Sequence, residues 1–197
     1  MNTGLGRYVL EYFQTPEFYE YLLVAHPPQE VNNQLKEEKE SFSSLYRVNV
    51  AKKTSPHITV ANFLAKEEME ETIIRYMRRT LSTQTSFCVT LNNYSGFPEH
   101  TVFARVQDHQ PFKQLATSLK AIDQYIRSNG CPAIKFITYP HLSIARRLQQ
   151  NIYEKAMFDY SQKIYHASFE INELILLRRK NQFDSCKQVN VFKLLPE

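Results

Sequence analysis

The chain has 197 residues, which fits one domain or one internally duplicated domain. Apolar residues make up 43% and charged residues 22%, which excludes disorder over most of the chain. No apolar run of about 18 residues exists to cross a membrane. The net charge of +4 suits an anionic ligand but is too small for a protein that coats DNA. The three widely separated cysteines exclude a disulfide framework and a zinc ribbon. The polar start predicts no signal peptide, so we expect a cytoplasmic protein.

The first half of the chain predicts a strand, a helix, a strand, a helix and a strand pair. A strand over 17–25 ends before two prolines, and Pro28 suits the start of a helix that runs to about Tyr46. Mixed charges at 36–40 predict the solvent-facing side of this helix. Its predicted apolar stripe consists of Val31, Leu35, Phe42 and Leu45. The later elements of this half are a strand over 56–63, a helix over 66–81, and strands over 87–94 and 102–106.

The second half of the chain repeats this order of elements. It contains a helix over 112–128, a strand over 134–145, a helix over 151–164, and strands over 169–177 and 189–194. Two similar α+β lobes packed as one body are the simplest explanation. We place lobe one at about 18–107 and lobe two at about 111–195 within a single domain, 1–197, and allow for strands exchanged between the lobes.

A short motif occurs twice, at the same point of each half. Residues 55–61 and 139–145 align without gaps, and both copies read Pro-His-apolar-hydroxyl-apolar-Ala. Side chains alternate along a strand, so His57 shares a face with Thr59, and His141 shares a face with Ser143. If an approximate two-fold axis relates the lobes, these faces meet in a cleft.

Two imidazoles and two hydroxyls in one cleft suit the chemistry of phosphate esters. An imidazole gains or loses a proton near neutrality, so a pair can act as base and acid on opposite sides of a reacting atom. The hydroxyls would donate hydrogen bonds to phosphoryl oxygens. The motifs contain no Asp, Glu or Cys, which argues against a metal-dependent hydrolase. A lone histidine on a strand is usually a packed or surface residue, but packing does not require one in both copies.

The paired motif, His57-x-Thr59 and His141-x-Ser143, resembles the signature of the two-histidine (2H) phosphoesterases. Within that superfamily the chain is most similar to the bacterial 2′-5′ RNA ligase-like proteins, which are RNA 2′,3′-cyclic phosphodiesterases. The resemblance covers about 19–195. Supporting similarities lie at 27–31, 87–106 and 169–176.

The resemblance implies an α+β fold of two lobes related by a pseudo-two-fold axis, built from duplicated β-α-β-β units. Two antiparallel sheets would line a central cleft, with the helices outside. It implies hydrolysis of a 2′,3′-cyclic phosphate without a metal or any other cofactor, with 2′-5′ RNA ligation as the reverse reaction. His57 would be the acid and His141 the base, although a pseudo-symmetric pair can exchange these roles, and Thr59 and Ser143 would bind the phosphate. The expected partner of this monomer is RNA or a nucleotide with a cyclic phosphate or a 2′-5′ linkage, and no membrane.

Four further residues are candidate substrate contacts. Members of the family often carry an aromatic residue directly after the first motif, whereas this chain has Asn62 there and Phe63 one position later. By strict alternation Phe63 shares the face of His57 and could stack on a base. Arg146 matches a basic residue often found after the second motif. By strict alternation Arg147 and Tyr139 share the face of His141.

Two other functions remain open at this point. A non-catalytic protein that binds RNA ends would keep the cleft and bind without turnover. An enzyme that acts on a small molecule without phosphate could use the histidines as a proton shuttle, although the paired hydroxyls favour phosphate. The sequence does not choose among substrates such as tRNA fragments, oligonucleotides or ADP-ribose cyclic phosphate.

Overall fold

The computed structural model of the protein describes residues 18–49, 55–98, 100–181 and 184–196. The strands are β1 Phe18–Ala25, β2 Ile58–Lys66, β3 Phe87–Phe97, β4 Thr101–Val106, β5 Lys135–Phe136, β6 His141–Arg146, β7 His166–Ile171, β8 Glu173–Arg179 and β9 Lys187–Lys193. The helices are α1 Gln29–Tyr46, α2 Glu70–Leu81, α3 Gln110–Ser118, α4 Lys120–Ser128 and α5 Gln150–Tyr160, and a short 3-10 helix, Glu67–Met69, precedes α2. No helix in the described part of the chain is long and apolar enough to span a membrane.

The strands form one large antiparallel sheet with the order β7-β3-β4-β6-β2-β1-β8-β9, and β5 pairs with β2. The predicted α+β class with antiparallel pairing is confirmed. The prediction of two separate sheets is wrong, because β2 and β6 join the two halves of the sheet. They do so through a single residue pair, Ile58 with Leu142.

Strand pairing does not follow chain order. In one half of the sheet β3 and β4 pair with β7 and β6, and in the other half β8 pairs with β1. Both halves therefore combine strands from early and late in the chain. These pairs join strands from opposite sides of residue 107, where the first predicted lobe ends. The predicted lobe bounds themselves stay a prediction.

Three predicted elements are each two elements in the structure. The strand predicted at 134–145 is β5 and β6, with Pro140 in the segment between them. The strand predicted at 169–177 divides at Asn172, because β7 pairs with β3 at one edge and β8 pairs with β1 in the other half. The helix predicted at 112–128 divides at Leu119, where the backbone leaves the helical conformation (φ −85°, ψ 0°).

The helices bury apolar side chains along one side. On α2 and the 3-10 helix before it, these side chains are those of Met69, Ile73, Met77 and Leu81. Each such side chain contributes about 1.5–3 kcal/mol through burial. On α1 the prediction is wrong at Leu45, which is 59% exposed, while Tyr46 is buried. Helical spacing from Leu35 through Phe42 continues to Tyr46 rather than to Leu45.

Candidate active site

The two copies of the motif lie side by side at the centre of the sheet. Ile58 and Leu142, which pair there, occupy the same position in their respective copies. An antiparallel pair of equivalent residues is the arrangement that a local two-fold axis produces. The structure accordingly brings His57, Thr59, His141 and Ser143 together in the lining of one small cleft.

Both imidazoles are oriented by the same backbone contact. Nδ1 of His57 lies 2.8 Å from the carbonyl oxygen of Ser55, and Nδ1 of His141 lies 2.9 Å from that of Tyr139. Because a carbonyl oxygen only accepts hydrogen bonds, Nδ1 must donate and therefore carries a proton. In each neutral ring Nε2 is then the nitrogen with the free lone pair.

Burial lowers the pKa of both histidines. The pKa of His57 falls to about 4, first through loss of solvent and then through the positive charge of Arg146, while the carbonyl of Ser55 opposes the shift. The pKa of His141 is lowered by the same two causes, opposed by the carbonyl of Tyr139. Both rings are therefore neutral at pH 7 when the cleft holds no anion.

Each motif strand contains a bulge at the same position of the motif. In the pairing of β1 with β2, Leu23 is opposite Ala61 and Val24 is opposite Thr59, so the register skips Val60. In the pairing of β4 with β6, the register skips Ile144 in the same way, between Ser143 and Ala145. A bulge places two consecutive side chains on the same side of the strand. Here these are Val60 with Ala61 and Ile144 with Ala145, and all four are buried.

The second bulge decides which arginine faces the cleft. Strict alternation assigns Arg147 to the face of His141. That assignment is wrong, because the bulge at Ile144 shifts the alternation of side chains along the strand by one residue. Arg146 lines the cleft together with both histidines. Arg147 follows the end of β6 in a left-handed backbone conformation (φ 57°).

The first bulge moves Phe63 away from the site. Phe63 is 2% exposed and stacks on Tyr21, with ring centroids 5.2 Å apart. It is a core residue, so the structure contradicts its assignment as a base-stacking contact. Asn62 takes the equivalent of the Arg146 position, and its side-chain amide donates to a carboxylate oxygen of Glu20 at 2.6 Å.

Aromatic rings surround His141, whereas a second imidazole lies beside His57. The rings of Phe97 and Phe103 each lie 4.9 Å from that of His141. Tyr139 is 42% exposed, its ring contacts those of Phe97 and Phe103, and it remains a candidate substrate contact at the rim. On the other side the ring of His26 lies 6.1 Å from that of His57.

Sequence analysis missed one cleft residue, Lys39. The mixed charges at 36–40 predict a solvent-facing block, but Lys39 is 4% exposed and lines the cleft with the four motif side chains and Arg146. A signal was present, because Leu35, Lys39, Phe42 and Tyr46 follow the helical spacing of one buried stripe. A lysine on an apolar stripe indicates either a buried ion pair or a site.

The part of the chain that the structure describes contains no set of metal ligands. No group of three or more His, Cys, Asp or Glu side chains there is placed to hold an ion.

Comparison with known proteins assigns the family. The sequence model of the 2′-5′ RNA ligase superfamily matches residues 27–182, so the chain belongs to that superfamily, which is that of the 2H phosphoesterases. Among curated proteins, none matches the chain.

Solved structures with the same fold include TT0787 of Thermus thermophilus, with 17% sequence identity and a TM-score of 0.65 over 90% of this chain and 99% of that one. They also include E. coli LigT complexed with 3′-AMP, with 16% identity and a TM-score of 0.62 over 90% of this chain and 99% of that one. The complex of LigT with ATP gives 17% identity and a TM-score of 0.58 over 91% and 99%. At these identities the likeness establishes the fold alone.

Proposed function

We propose that this protein is a metal-independent phosphodiesterase that opens 2′,3′-cyclic phosphates at RNA ends or on nucleotides, and that 2′-5′ RNA ligation occurs when the 5′-hydroxyl of an RNA end replaces water as the nucleophile. One observation carries the proposal. Two imidazoles line the same cleft, and each holds Nδ1 on the carbonyl two residues before it, which leaves two Nε2 atoms for proton transfer. The family and the nucleotide complexes of E. coli LigT support a nucleotide-sized substrate.

In the proposed mechanism His141 acts as the base and His57 as the acid. Nε2 of His141 takes a proton from water as the water oxygen attacks phosphorus. Nε2 of His57 gives a proton to the ribose oxygen that leaves, and a phosphomonoester results. The side chains of Thr59, Ser143 and Arg146 donate hydrogen bonds to the non-bridging oxygens, where negative charge accumulates.

The acid must be protonated before it can act, and the lowered pKa of His57 opposes this in the empty cleft. A bound phosphate places negative charge beside the ring and offsets the positive charge of Arg146. The pKa of both histidines therefore rises when substrate binds. Since both rings respond, substrate orientation decides which one is acid, and the assignment can reverse.

Hydrolysis of a panel of nucleoside 2′,3′-cyclic monophosphates and of a short RNA with a cyclic end, in EDTA, tests the proposal. The variants are wild type, the double variant His57→Ala/His141→Ala, and His166→Ala, an exposed histidine at the start of β7, as the control. We expect turnover by wild type and by the control, and none by the folded double variant. Full activity without both histidines refutes the mechanism. Binding of the cyclic end by wild type without turnover indicates instead a protein that binds RNA ends.

A further inference from the structure

Lys39 enters the cleft from α1, an element that carries neither motif. Its side chain is buried beside those of His57, His141 and Arg146. The preceding residue, Glu38, accepts hydrogen bonds from the hydroxyl of Tyr160 and from Nζ of Lys163, the latter at 2.6 Å. These contacts link this turn of α1 to α5 and to the segment that follows it.

Positive charge is concentrated in the lining of the cleft. Within the described residues this lining contains the two cations Lys39 and Arg146 and no Asp or Glu. Burial lowers the pKa of both groups, and the charge of Arg146 adds to the effect on Lys39, whose pKa falls to about 8. Burying like charges together costs free energy, and an anion bound in the cleft lowers that cost.

We propose that Lys39 is a phosphate-binding residue of this site and that, with Arg146, it makes the cleft selective for a phosphorus group that carries two negative charges. The inference rests on the proposed function. It adds that the site accommodates a second negative charge on the phosphoryl group. A cyclic phosphodiester enters with one negative charge. When water adds and the P–O bond to one ribose oxygen breaks, the proton of water passes to one histidine and the other histidine protonates the leaving oxygen. Once one histidine has taken a proton from water, the phosphoryl oxygens carry two negative charges. Protonation of the leaving oxygen gives a monoester that still holds one proton on a phosphoryl oxygen, and loss of that proton to solvent near pH 7 gives the dianionic product.

Lys39 therefore acts mainly on the transition state and the product rather than on the substrate. A cation that meets charge only as it develops raises turnover more than it raises substrate affinity. It also makes the product, a nucleoside monophosphate dianion, bind more tightly than the cyclic monoanion. A lysine that only supports packing gives neither result.

Titration calorimetry in EDTA measures this selectivity without turnover. The ligands are inorganic phosphate, 3′-AMP and 2′,3′-cyclic AMP, and the proteins are wild type, Lys39→Met, Lys39→Arg and Lys36→Met. Lys36 is an exposed lysine on the same helix and serves as the matched control. We expect Lys39→Met to weaken binding of 3′-AMP by about 10- to 100-fold, as for loss of a hydrogen bond to a charged group, and to weaken binding of the cyclic nucleotide by less. Lys39→Arg should recover part of the loss. Equal binding of 3′-AMP by Lys39→Met and wild type overturns the proposal.

A second measurement uses the pH dependence of binding. Lys39 faces Arg146 and His141 from β6 and His57 from the segment before β2. A bound anion raises the pKa of both histidines, so loss of their protons also lowers affinity at high pH, and the contribution of Lys39 is the part of the fall that Lys39→Arg removes. The affinity of wild type for 3′-AMP should fall about tenfold or more from pH 7 to pH 9.5, and that of Lys39→Arg should fall much less. An equal fall in both proteins, or an affinity independent of pH in wild type, overturns the proposal.

These results separate the two proposals. If wild type hydrolyses the cyclic panel and Lys39→Met binds 3′-AMP normally, the phosphodiesterase proposal stands and the Lys39 proposal falls. If wild type hydrolyses nothing while binding of inorganic phosphate still depends on Lys39, the reaction is wrong and the anion site stands.

Discussion

The two copies of the motif have the same backbone but different surroundings. In each copy the histidine bonds to the carbonyl two residues earlier, at 2.8 Å for His57 and 2.9 Å for His141, and in each a bulge follows the hydroxyl residue. The ring of His26 lies beside that of His57, whereas the rings of Phe97 and Phe103 lie beside that of His141. The backbone thus repeats the reactive groups, and the neighbouring side chains distinguish the two sides.

The residue after each bulge makes the largest difference in charge. On one side Asn62 binds Glu20, which in turn accepts a hydrogen bond from Nε of Arg179 at 2.6 Å, so that this group of charges is balanced. On the other side Arg146 lines the cleft directly. In the proposed reaction Arg146 would therefore bind the phosphate from the strand of His141, and α1 would add Lys39.

Substituting the histidines one at a time should have the largest effect on turnover and should distinguish the two copies of the motif. We expect His57→Ala and His141→Ala each to lower turnover of a 2′,3′-cyclic nucleotide by about two to four powers of ten. A substrate with a nitrophenolate leaving group needs no acid, so on it the variant without the acid should lose much less. If His57 is the acid, His57→Ala is the variant rescued. Equal losses by both variants on both substrates contradict a fixed division of roles.

Exchanging the residues after the bulges should have the next largest effect. Arg146→Met should lower kcat/KM by about 10- to 100-fold, because hydrogen bonds to charged groups contribute about 1.5–3 kcal/mol. Asn62→Ala should change kcat/KM less than about threefold, since Asn62 bonds to Glu20 rather than lining the cleft. Steady-state kinetics on one cyclic nucleotide measures both. A larger loss from Asn62→Ala than from Arg146→Met would reverse our assignment of the phosphate side.

The hydroxyls should show a smaller and nearly equal effect. Thr59→Val and Ser143→Ala each remove one donor and keep the backbone bulge, and we expect each to cost about 1 kcal/mol of transition-state stabilisation, or about fivefold in kcat/KM. Combining the two variants tests whether the donors serve one phosphoryl group. Losses that simply add indicate independent contacts, whereas a strong departure from additivity indicates a shared oxygen.

The pH dependence of stability should show the smallest effect. The pKa of His57 lies at about 4 in the folded protein and near 6.5 in the unfolded chain, so between these values the unfolded chain binds more protons. The free energy of unfolding should therefore fall as pH decreases from about 6.5 to about 4, by roughly 1 kcal/mol for this partly exposed ring. Urea denaturation of wild type and of His57→Gln at several pH values measures this. The same slope in both proteins would assign the loss to other groups.

The sequence predicted that the two histidines and the two hydroxyls meet in one cleft, because they occur in a repeated pattern that alternation along a strand converts into a shared face. It predicted Phe63 and Arg147 wrongly, because a bulge depends on pairing with a neighbouring strand and has no pattern of its own in the chain. Lys39 was missed for a different reason. Charge was given more weight than helical position, although its spacing from Leu35 and Phe42 indicated the buried side. The predicted separation of the sheets failed because one residue pair, far apart in the chain, joins them.

The pairing of Ile58 with Leu142 has a consequence for the direction of the proposed reaction. An axis through equivalent residues gives the two imidazoles equivalent positions in the sheet. By microscopic reversibility, the histidine that would give a proton during ring opening would take one during ring closure, so the proposed pair suits both directions. In the proposed ligation the 5′-hydroxyl of an RNA end would replace water as the nucleophile, and the balance between hydrolysis and ligation would then depend on which of the two reaches the cleft.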